Sequence, residues 1–193
     1  MGAYYYLAAQ LPYLVYGQNI PMSSDDFKAL ARKSMSSGEG ALLDQCTLES
    51  DPEAGAAYPG NPKRTGSEFI NRWNDWERTL RLNLAKGRSL KLKREGGVSF
   101  TPPDTPADAA GAAKTAMNME SPLEAELYLD KARWTAIENF QGLNNFSENA
   151  LYAYLLKLLL MERRAAFNTE EGFTEYKRLY ADILGVKSYG ETK

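Results

Sequence analysis

The sequence contains no histidine and only one cysteine among its 193 residues. Histidine is the commonest general base and the commonest metal ligand, so its absence removes most familiar catalytic and zinc-binding arrangements. Cys46 cannot form an intramolecular disulfide, which fits a reducing cytoplasm. Asp44 and Glu49 lie near it in the sequence, and neighbouring acids raise the pKa of a thiol. Cys46 is therefore expected to be a small helix residue.

The chain also lacks the patterns of a leader or a membrane segment. No lysine or arginine precedes Lys28, and Pro12 interrupts the apolar opening stretch. A signal peptide needs a basic start and a continuous apolar run, and a spanning helix needs roughly 20 apolar residues. The opening stretch is therefore expected to belong to a soluble, cytoplasmic chain. Its tyrosines, beginning with Tyr4, Tyr5 and Tyr6, are predicted to pack in the core with their hydroxyls at the rim.

Motifs for phosphate, metal or cofactor binding are missing as well. The stretch "GNPKRTGS" has glycines and basic residues, but not at phosphate-loop spacing, and no EF-hand spacing occurs. Asp25 and Asp26 could be a catalytic pair, but acids in a first helical turn are better explained by the helix dipole. The chain is therefore predicted to bind no cofactor or metal and not to be an enzyme.

The apolar pattern predicts an all-α fold, an antiparallel helical bundle with a long central helix. A serine of the pair Ser23-Ser24 and Ser121 are typical N-caps, and Pro122 suits a first helical position. A long helix from Ser67 is predicted by one stripe: Phe69, Trp73, Trp76, Leu80 and Leu84. Residues 89–100 either continue this helix, which is the favoured prediction, or form a small β-hairpin.

The composition divides the chain into three parts. We expect an N-terminal helical region over 1–95 with a loop at 49–66, a linker over 96–112 that is rich in Pro, Gly and Ala, and a helical bundle over 113–193. In the bundle, one buried face is predicted to hold Leu123, Leu127, Trp134 and Ile137. The run "LYAYLLKLLLM" contains Lys157 and is too short to span a membrane, so it predicts a buried helix.

The last helix is predicted from Thr169 to Leu184. Its apolar stripe consists of Phe173, Tyr176, Tyr180 and Ile183.

Basic residues are concentrated in one part of the chain. Residues 63–95 hold ten basic and four acidic residues, a net charge of +6, whereas the whole chain carries -2. The remainder therefore carries -8, and the asymmetry indicates either a solvated helix face or a docking surface for an acidic partner. Nucleic acid is a weaker third alternative. The candidate partner-binding residues are Arg72, Arg78, Arg81, Arg88, Lys91, Lys93 and Arg94.

Four stretches carry a resemblance: "YYYLAAQLPYL", "PMSSDDFKAL", "SPLEAELYLDKARWTAIENF" and "ALYAYLLKLLLMERRAAFN". Their order resembles an uncharacterised bacterial family that is encoded inside operons for V-type (A-type) rotary ATPases, where the gene for the usual C-type adaptor is missing. The resemblance implies a non-catalytic, all-helical analogue of that adaptor, between the central stalk and the membrane rotor ring. The C-type adaptor itself is longer and has a threefold helical repeat, which this chain lacks.

The resemblance implies a location at the inner face of the membrane, reached through protein contacts and without a transmembrane segment. Two alternatives stay open. One is an unrelated helical interaction module with a basic docking helix, and the other is a hydrolase or transferase that uses carboxylates.

Overall fold

The computed structural model describes residues 4–48, 64–92, 108–167 and 169–183. Eight α-helices and no strand occupy these ranges, so the all-α prediction is confirmed. The helices are α1 (Tyr5–Gln10), α2 (Ser24–Arg32), α3 (Ser37–Asp44), α4 (Glu68–Lys91), α5 (Asp108–Met117), α6 (Pro122–Gln141), α7 (Glu148–Ala165) and α8 (Thr169–Ile183). The chain up to Glu162 forms one compact unit, and the chain from Arg163 onward forms a second.

Serine side chains fix where four of the helices begin. Each accepts the backbone N–H three residues ahead, and so satisfies one of the donors that a helix start leaves open. The four caps are Ser23 before α2, Ser36 before α3, Ser67 before α4 and Ser121 before α6. Asp25 and Asp26 lie in the first turn of α2, where the helix dipole favours acids.

The long helix α4 buries the stripe that its sequence predicts. Phe69, Trp73, Trp76, Leu80 and Leu84 are all buried, and the two tryptophan rings stack with 5.9 Å between their centroids. The helix continues to Lys91, as the favoured prediction required. Residues 93–100, the rest of the alternative hairpin, lie outside the described residues.

Helices α4, α5 and α6 pack against one another. Trp76 donates from its indole nitrogen to Asp108 at the start of α5, and Gly87 lies against Met117 at its end, so α4 and α5 run in the same direction. Helix α6 runs antiparallel to both, because Arg72 near the start of α4 lies against Phe140 near the end of α6, and Glu77 pairs with Arg133.

The position of helix α5 does not agree with the predicted division of the chain into domains. It begins at Asp108, inside the predicted linker 96–112. Its buried side chains, Ala109, Ala112, Ala113 and Ala116, belong to the same core as those of α4 and α6. Small alanines let helices approach closely, and an alanine-rich stretch can therefore be a packed helix rather than a linker. The predicted boundary thus falls inside the compact unit.

Helix α7 is the most enclosed helix of this unit. The side chains of Tyr152, Leu155, Leu156 and Leu158 are fully buried. A helix that is apolar on every side belongs in the interior of a bundle, and the "LYAYLLKLLLM" part of α7 occupies such a position. No helix among the described residues is long and apolar enough to cross a membrane.

Two predicted faces are only partly buried. In α6, Trp134 and Ile137 are buried, but Leu123 in the first turn is 45% exposed. Leu123 lies at the end of the helix, where the core no longer covers it. In α8, Tyr176 and Tyr180 of the predicted stripe are exposed, and so is Leu179, which was not part of that stripe. Leu184, the predicted end of this helix, lies outside the described residues.

The prediction for the opening tyrosines was largely wrong. Tyr4 is buried beside Leu7, but Tyr5 is 61%, Tyr6 82% and Tyr13 90% exposed. For Tyr5 and Tyr6 the reason is helical geometry: Leu7 is the residue of α1 that faces the core, and the two residues before it point elsewhere. A run of consecutive apolar residues in a short helix cannot be buried as a whole.

Candidate functional site: an aromatic groove at the N-terminal segment

The N-terminal segment is held on the helical body at both ends and in its middle. The Tyr4 backbone N–H donates to the Phe146 carbonyl at 2.9 Å. The Tyr154 hydroxyl donates to the Pro12 carbonyl at 2.9 Å, and the Tyr16 hydroxyl donates to the Leu127 carbonyl at 2.9 Å. The segment therefore packs on α6, on α7 and on the turn between them.

A groove of about 310 Å³ opens between this segment, the end of α6 and the first half of α7. Most of the side chains in its walls are apolar or aromatic, and the polar groups include the two amides of Gln141 and Asn145 and the ammonium group of Lys157. We call it the aromatic groove. It is lined by Ala8, Leu11, Pro12, Tyr13, Leu14, Gln141, Asn145, Phe146, Ala150, Leu151, Tyr154 and Lys157.

Large apolar side chains surround the aromatic groove and are exposed to solvent. Tyr13 projects from one wall, and Phe146 in the other wall contacts the Tyr5 ring with centroids 4.5 Å apart. Tyr6, next to Tyr5 in α1, and Leu143, in the turn that leads to Phe146, are exposed as well, although neither lines the groove. Isolated exposed apolar residues are ordinary, but several gathered at one concave place are typical of a binding surface.

The polar groups in the aromatic groove are occupied by local contacts. The Lys157 ammonium lies 3.2 Å from a Glu138 carboxylate oxygen and 5.0 Å from the centre of the Trp134 ring. Gln141 donates to Asn145 at 2.9 Å. Burial raises the pKa of Tyr154 to about 12, so its phenol stays protonated and donates at neutral pH. These groups can orient a bound chain, but they do not form a nucleophile paired with a base.

A buried ion network lies elsewhere in the body, between α4 and α6. Arg133 reaches both carboxylate oxygens of Glu77 at 3.0 Å and one of Asp130 at 3.0 Å. Arg81 donates to Glu77 at 2.7 Å and to the Leu48 carbonyl at 2.6 Å. The two acids and two arginines balance in charge. We call these four residues the ion network.

The electrostatics of the ion network indicate a structural role. Burial raises the pKa of Glu77, but the charge and hydrogen bonds of Arg133, followed by those of Arg81, outweigh burial and hold the pKa below its usual value. Burial alone would lower the pKa of Arg133. The charges and hydrogen bonds of Glu77, followed by those of Asp130, outweigh burial and raise this pKa. Glu77 and Arg133 therefore stay charged at neutral pH, and the bidentate geometry fixes α4 against α6.

The candidate basic residues do not form one surface. Arg81 belongs to the ion network, and the Arg72 guanidinium lies 4.7 Å from the centre of the Phe140 ring. Because successive helical residues turn by about 100°, Arg72, Arg78 and Arg88 point in directions roughly 80–160° apart.

Two of the remaining candidates lie together at the end of α4. Arg88 and Lys91 are exposed there, and Lys91 donates to the Met117 carbonyl. Lys93 and Arg94 lie outside the described residues. The structure therefore brings together only the last part of the predicted basic surface.

Sequence reasoning missed the aromatic groove, although one signal was present. Residues 142–146 read Gly-Leu-Asn-Asn-Phe, a turn composition that nevertheless contains two large apolar residues. Gly142 adopts a positive φ of 73°, which ends α6 and directs the chain into this turn. Apolar residues in a tight turn do not belong to a helix face that packs on the core, so they indicate a surface that contacts another molecule or segment.

Cys46 follows the end of α3 and is buried, and burial raises the pKa of its thiol to about 12. The thiolate is the reactive form, so the folded chain is expected to resist iodoacetamide at neutral pH, whereas the chain unfolded in urea should react readily. Mass spectrometry of the two samples measures the difference. Rapid, complete alkylation of the native chain would show that Cys46 is accessible.

The described residues contain no group of His, Cys, Asp and Glu that could hold a metal ion. Comparison with known proteins gave no match to a family model, to a curated protein or to a solved structure.

Proposed function

We propose that this chain is a non-catalytic helical adaptor in a V-type (A-type) rotary ATPase, placed between the central stalk and the membrane rotor ring. The observation that carries the proposal is the exposure of tyrosines from the "YYYLAAQLPYL" stretch around the aromatic groove. Of this stretch, Tyr4 and Leu7 stabilise the fold, whereas Tyr6 and Tyr13 contribute little to it because they are 82% and 90% exposed. Their role is then to contact a partner.

The physical chemistry of the aromatic groove fits protein docking. Tyrosine gives a large contact area at a low cost in side-chain entropy, and its hydroxyl tolerates water before the partner binds. Such residues are enriched among the few that carry most of the energy of an interface. The groove is preformed by hydrogen bonds to Pro12, Phe146 and Leu127, so little ordering would be needed on binding.

The packing of the resembling stretches also supports the proposal. "SPLEAELYLDKARWTAIENF" includes the N-cap and almost all of α6, and "ALYAYLLKLLLMERRAAFN" covers most of α7. The N-terminal segment contacts both through Tyr16 and Tyr154. The first and last of the four stretches therefore line the aromatic groove together, through residues between Ala8 and Tyr13 and between Ala150 and Lys157. An adaptor needs such a rigid helical body, because it transmits position between partners rather than performing chemistry.

The second candidate is an unrelated helical interaction module that binds an acidic protein through its basic helix. Its support is the exposed position of Arg88 and Lys91 at the end of α4. The other basic residues of the helix point in several directions, so a single docking face along α4 has less support than the aromatic groove.

We predict that replacing both Tyr6 and Tyr13 with serine weakens binding to reconstituted central-stalk proteins. Removing two exposed aromatic anchors should raise the Kd roughly thirtyfold to eight-hundredfold, because anchors of this kind cost about 1–2 kcal/mol each. The melting temperature should stay unchanged, since both side chains are exposed. Binding is measured by calorimetry.

The matched control is the double variant Tyr176→Ser and Tyr180→Ser, which removes two exposed tyrosines from α8 instead. It should bind the stalk like the wild type. If the variant Tyr6→Ser with Tyr13→Ser bound the stalk as tightly as the wild type, the interface would lie outside the aromatic groove. Failure of the wild type to bind any stalk or rotor-ring protein would reject the adaptor function itself.

A further inference from the structure

The local contacts in the aromatic groove use only part of its hydrogen-bonding capacity. An asparagine or glutamine amide has two N–H donors, and a lysine ammonium has three. Gln141 gives one N–H to the oxygen of Asn145, and Lys157 gives one to Glu138. The contacts between described residues use neither N–H of the Asn145 amide. The spare polar groups of these side chains are therefore mainly donors.

The aromatic groove carries no net charge that would select an ion. Among the described residues, neither Asp nor Glu contributes to its lining. Glu138 pairs with Lys157 from outside this lining and balances its charge. What remains without a partner is the partial positive charge of the N–H groups. This charge complements the partial negative charge of peptide carbonyl oxygens, which are strong acceptors.

The walls and the size of the aromatic groove suit a narrow, apolar chain. Tyr13 is 90% and Phe146 40% exposed, so aromatic rings on both walls are open to an occupant. The volume of about 310 Å³ is near the lower limit for ligand pockets. A helix with its side chains is about 10–12 Å across, so an extended segment fits this space better than a helical one.

A proline-rich chain meets all of these conditions. Proline has no backbone N–H, so such a chain presents carbonyl acceptors and few donors. It adopts the extended polyproline II conformation before it binds, and grooves lined by aromatic side chains are the usual receptors for this conformation. Little conformational entropy is lost when a preformed chain meets a preformed groove.

We propose that the aromatic groove binds a proline-rich segment of a partner protein in the polyproline II conformation. Carbonyl oxygens of the segment accept from Asn145 and Gln141, and its proline rings lie against Tyr13 and Phe146. This inference rests on the proposed function only in taking the aromatic groove as the docking site. It specifies the segment that the partner presents, and it does not require that the partner belong to an ATPase.

The test is an NMR titration of the isotope-labelled full chain with the acetylated hexapeptide amide Pro-Leu-Pro-Pro-Leu-Pro. In a matched peptide, alanine replaces each proline, which restores the backbone N–H groups and the freedom of the chain. The proline peptide should bind at least about tenfold more tightly, because ordering a flexible backbone costs about 1–2 kcal/mol per residue. Shift changes should be concentrated at Tyr13, Asn145 and Phe146. Equal affinities, no binding of the proline peptide, or shift changes confined to other residues would overturn the proposal.

Three variants test the individual contacts. Asn145→Asp keeps an oxygen that accepts from Gln141 but replaces the donor amide, so affinity for the proline peptide should fall roughly tenfold. Tyr13→Ser should also lower the affinity roughly tenfold, whereas Tyr13→Phe keeps the ring and should bind nearly like the wild type. The control Asn139→Asp makes the same charge change at an exposed position of α6 outside the groove lining and should not alter binding. Wild-type affinity in Asn145→Asp, or an equal loss in the control, would contradict the proposed contacts.

The outcomes for this inference and for the adaptor proposal are distinguishable. If the wild type binds central-stalk proteins but not the proline peptide, the adaptor proposal stands and the proline-rich ligand is wrong. If the wild type binds the proline peptide and Asn145→Asp weakens it, but no stalk or rotor-ring protein binds, the ligand class is supported and the adaptor function is rejected.

Discussion

Replacing Arg133 with methionine is expected to lower the free energy of unfolding by about 3–5 kcal/mol. Arg133 is 4% exposed and joins both Glu77 and Asp130 at 3.0 Å. Its removal leaves two buried carboxylates with Arg81 as the remaining cation of the network, and uncompensated buried charge is strongly destabilising. In a chain of this size the melting temperature should fall by roughly 10 °C or more. Denaturant unfolding at neutral pH measures the loss.

Two variants separate charge from side-chain volume. The triple variant Arg133→Met, Glu77→Leu and Asp130→Leu should recover most of the lost stability, because no unbalanced buried acid remains. Lys131→Met, on an exposed position of the same helix, should change stability by less than about 0.5 kcal/mol. A single Arg133→Met variant as stable as the wild type would show that the ion network contributes nothing to the fold.

The ion network also predicts how stability depends on acidity. The pKa of Glu77 is lower in the folded chain than in the unfolded chain, so its contribution is present above the unfolded value of about 4.3. The contribution is lost as the pH falls through the folded value. The gap in melting temperature between the wild type and Glu77→Gln should therefore be widest near neutral pH and narrow in acid. If this difference in melting temperature did not change with pH, the charge of Glu77 would make no contribution to stability.

Replacing Trp134 with alanine is expected to cost about 3–5 kcal/mol, the range for a large buried aromatic residue. Trp134 is 6% exposed, and its indole nitrogen donates to Glu138 at 2.9 Å. The Tyr16 ring meets it edge-on with centroids 5.5 Å apart, and the Lys157 ammonium lies over its face. The substitution therefore removes the side chain that joins the N-terminal segment to α6 and α7.

Trp134→Phe should cost less than Trp134→Ala, because it keeps an aromatic ring against Tyr16. Thermal melts of both variants measure the difference. An unchanged melting temperature in Trp134→Ala would show that the buried face of α6 is assigned wrongly.

The sequence predicted the helices well, since their signals are local. Ser23 and Ser121 cap helices with their own side chains, and the spacing of Phe69, Trp73 and Trp76 follows from one helical period. Such features need no information from distant parts of the chain. The same reasoning identified Leu151–Met161 as an interior helix from its length and its single lysine.

The ion network could not be predicted, and the aromatic groove was indicated only by the turn at 142–146, because both depend on contacts between distant residues. Arg133 meets Glu77 across 56 positions of sequence, and Tyr154 meets Pro12 across 142. Periodicity places Tyr6 and Tyr13 in an apolar stretch, but only the position of Phe146 shows which side of that stretch is covered. The charge count was limited in the same way. It showed that basic residues are concentrated along α4, but it could not show that Arg81 pairs with a buried acid.

The most direct test of the adaptor proposal is affinity purification of the tagged chain from its native cell, with identification of the proteins that accompany it. The proposal predicts enrichment of the central-stalk and rotor-ring proteins of a rotary ATPase, and their reduction when the bait is Tyr6→Ser with Tyr13→Ser. Recovery of the chain without any component of that ATPase, from cells in which the complex is assembled, would contradict it.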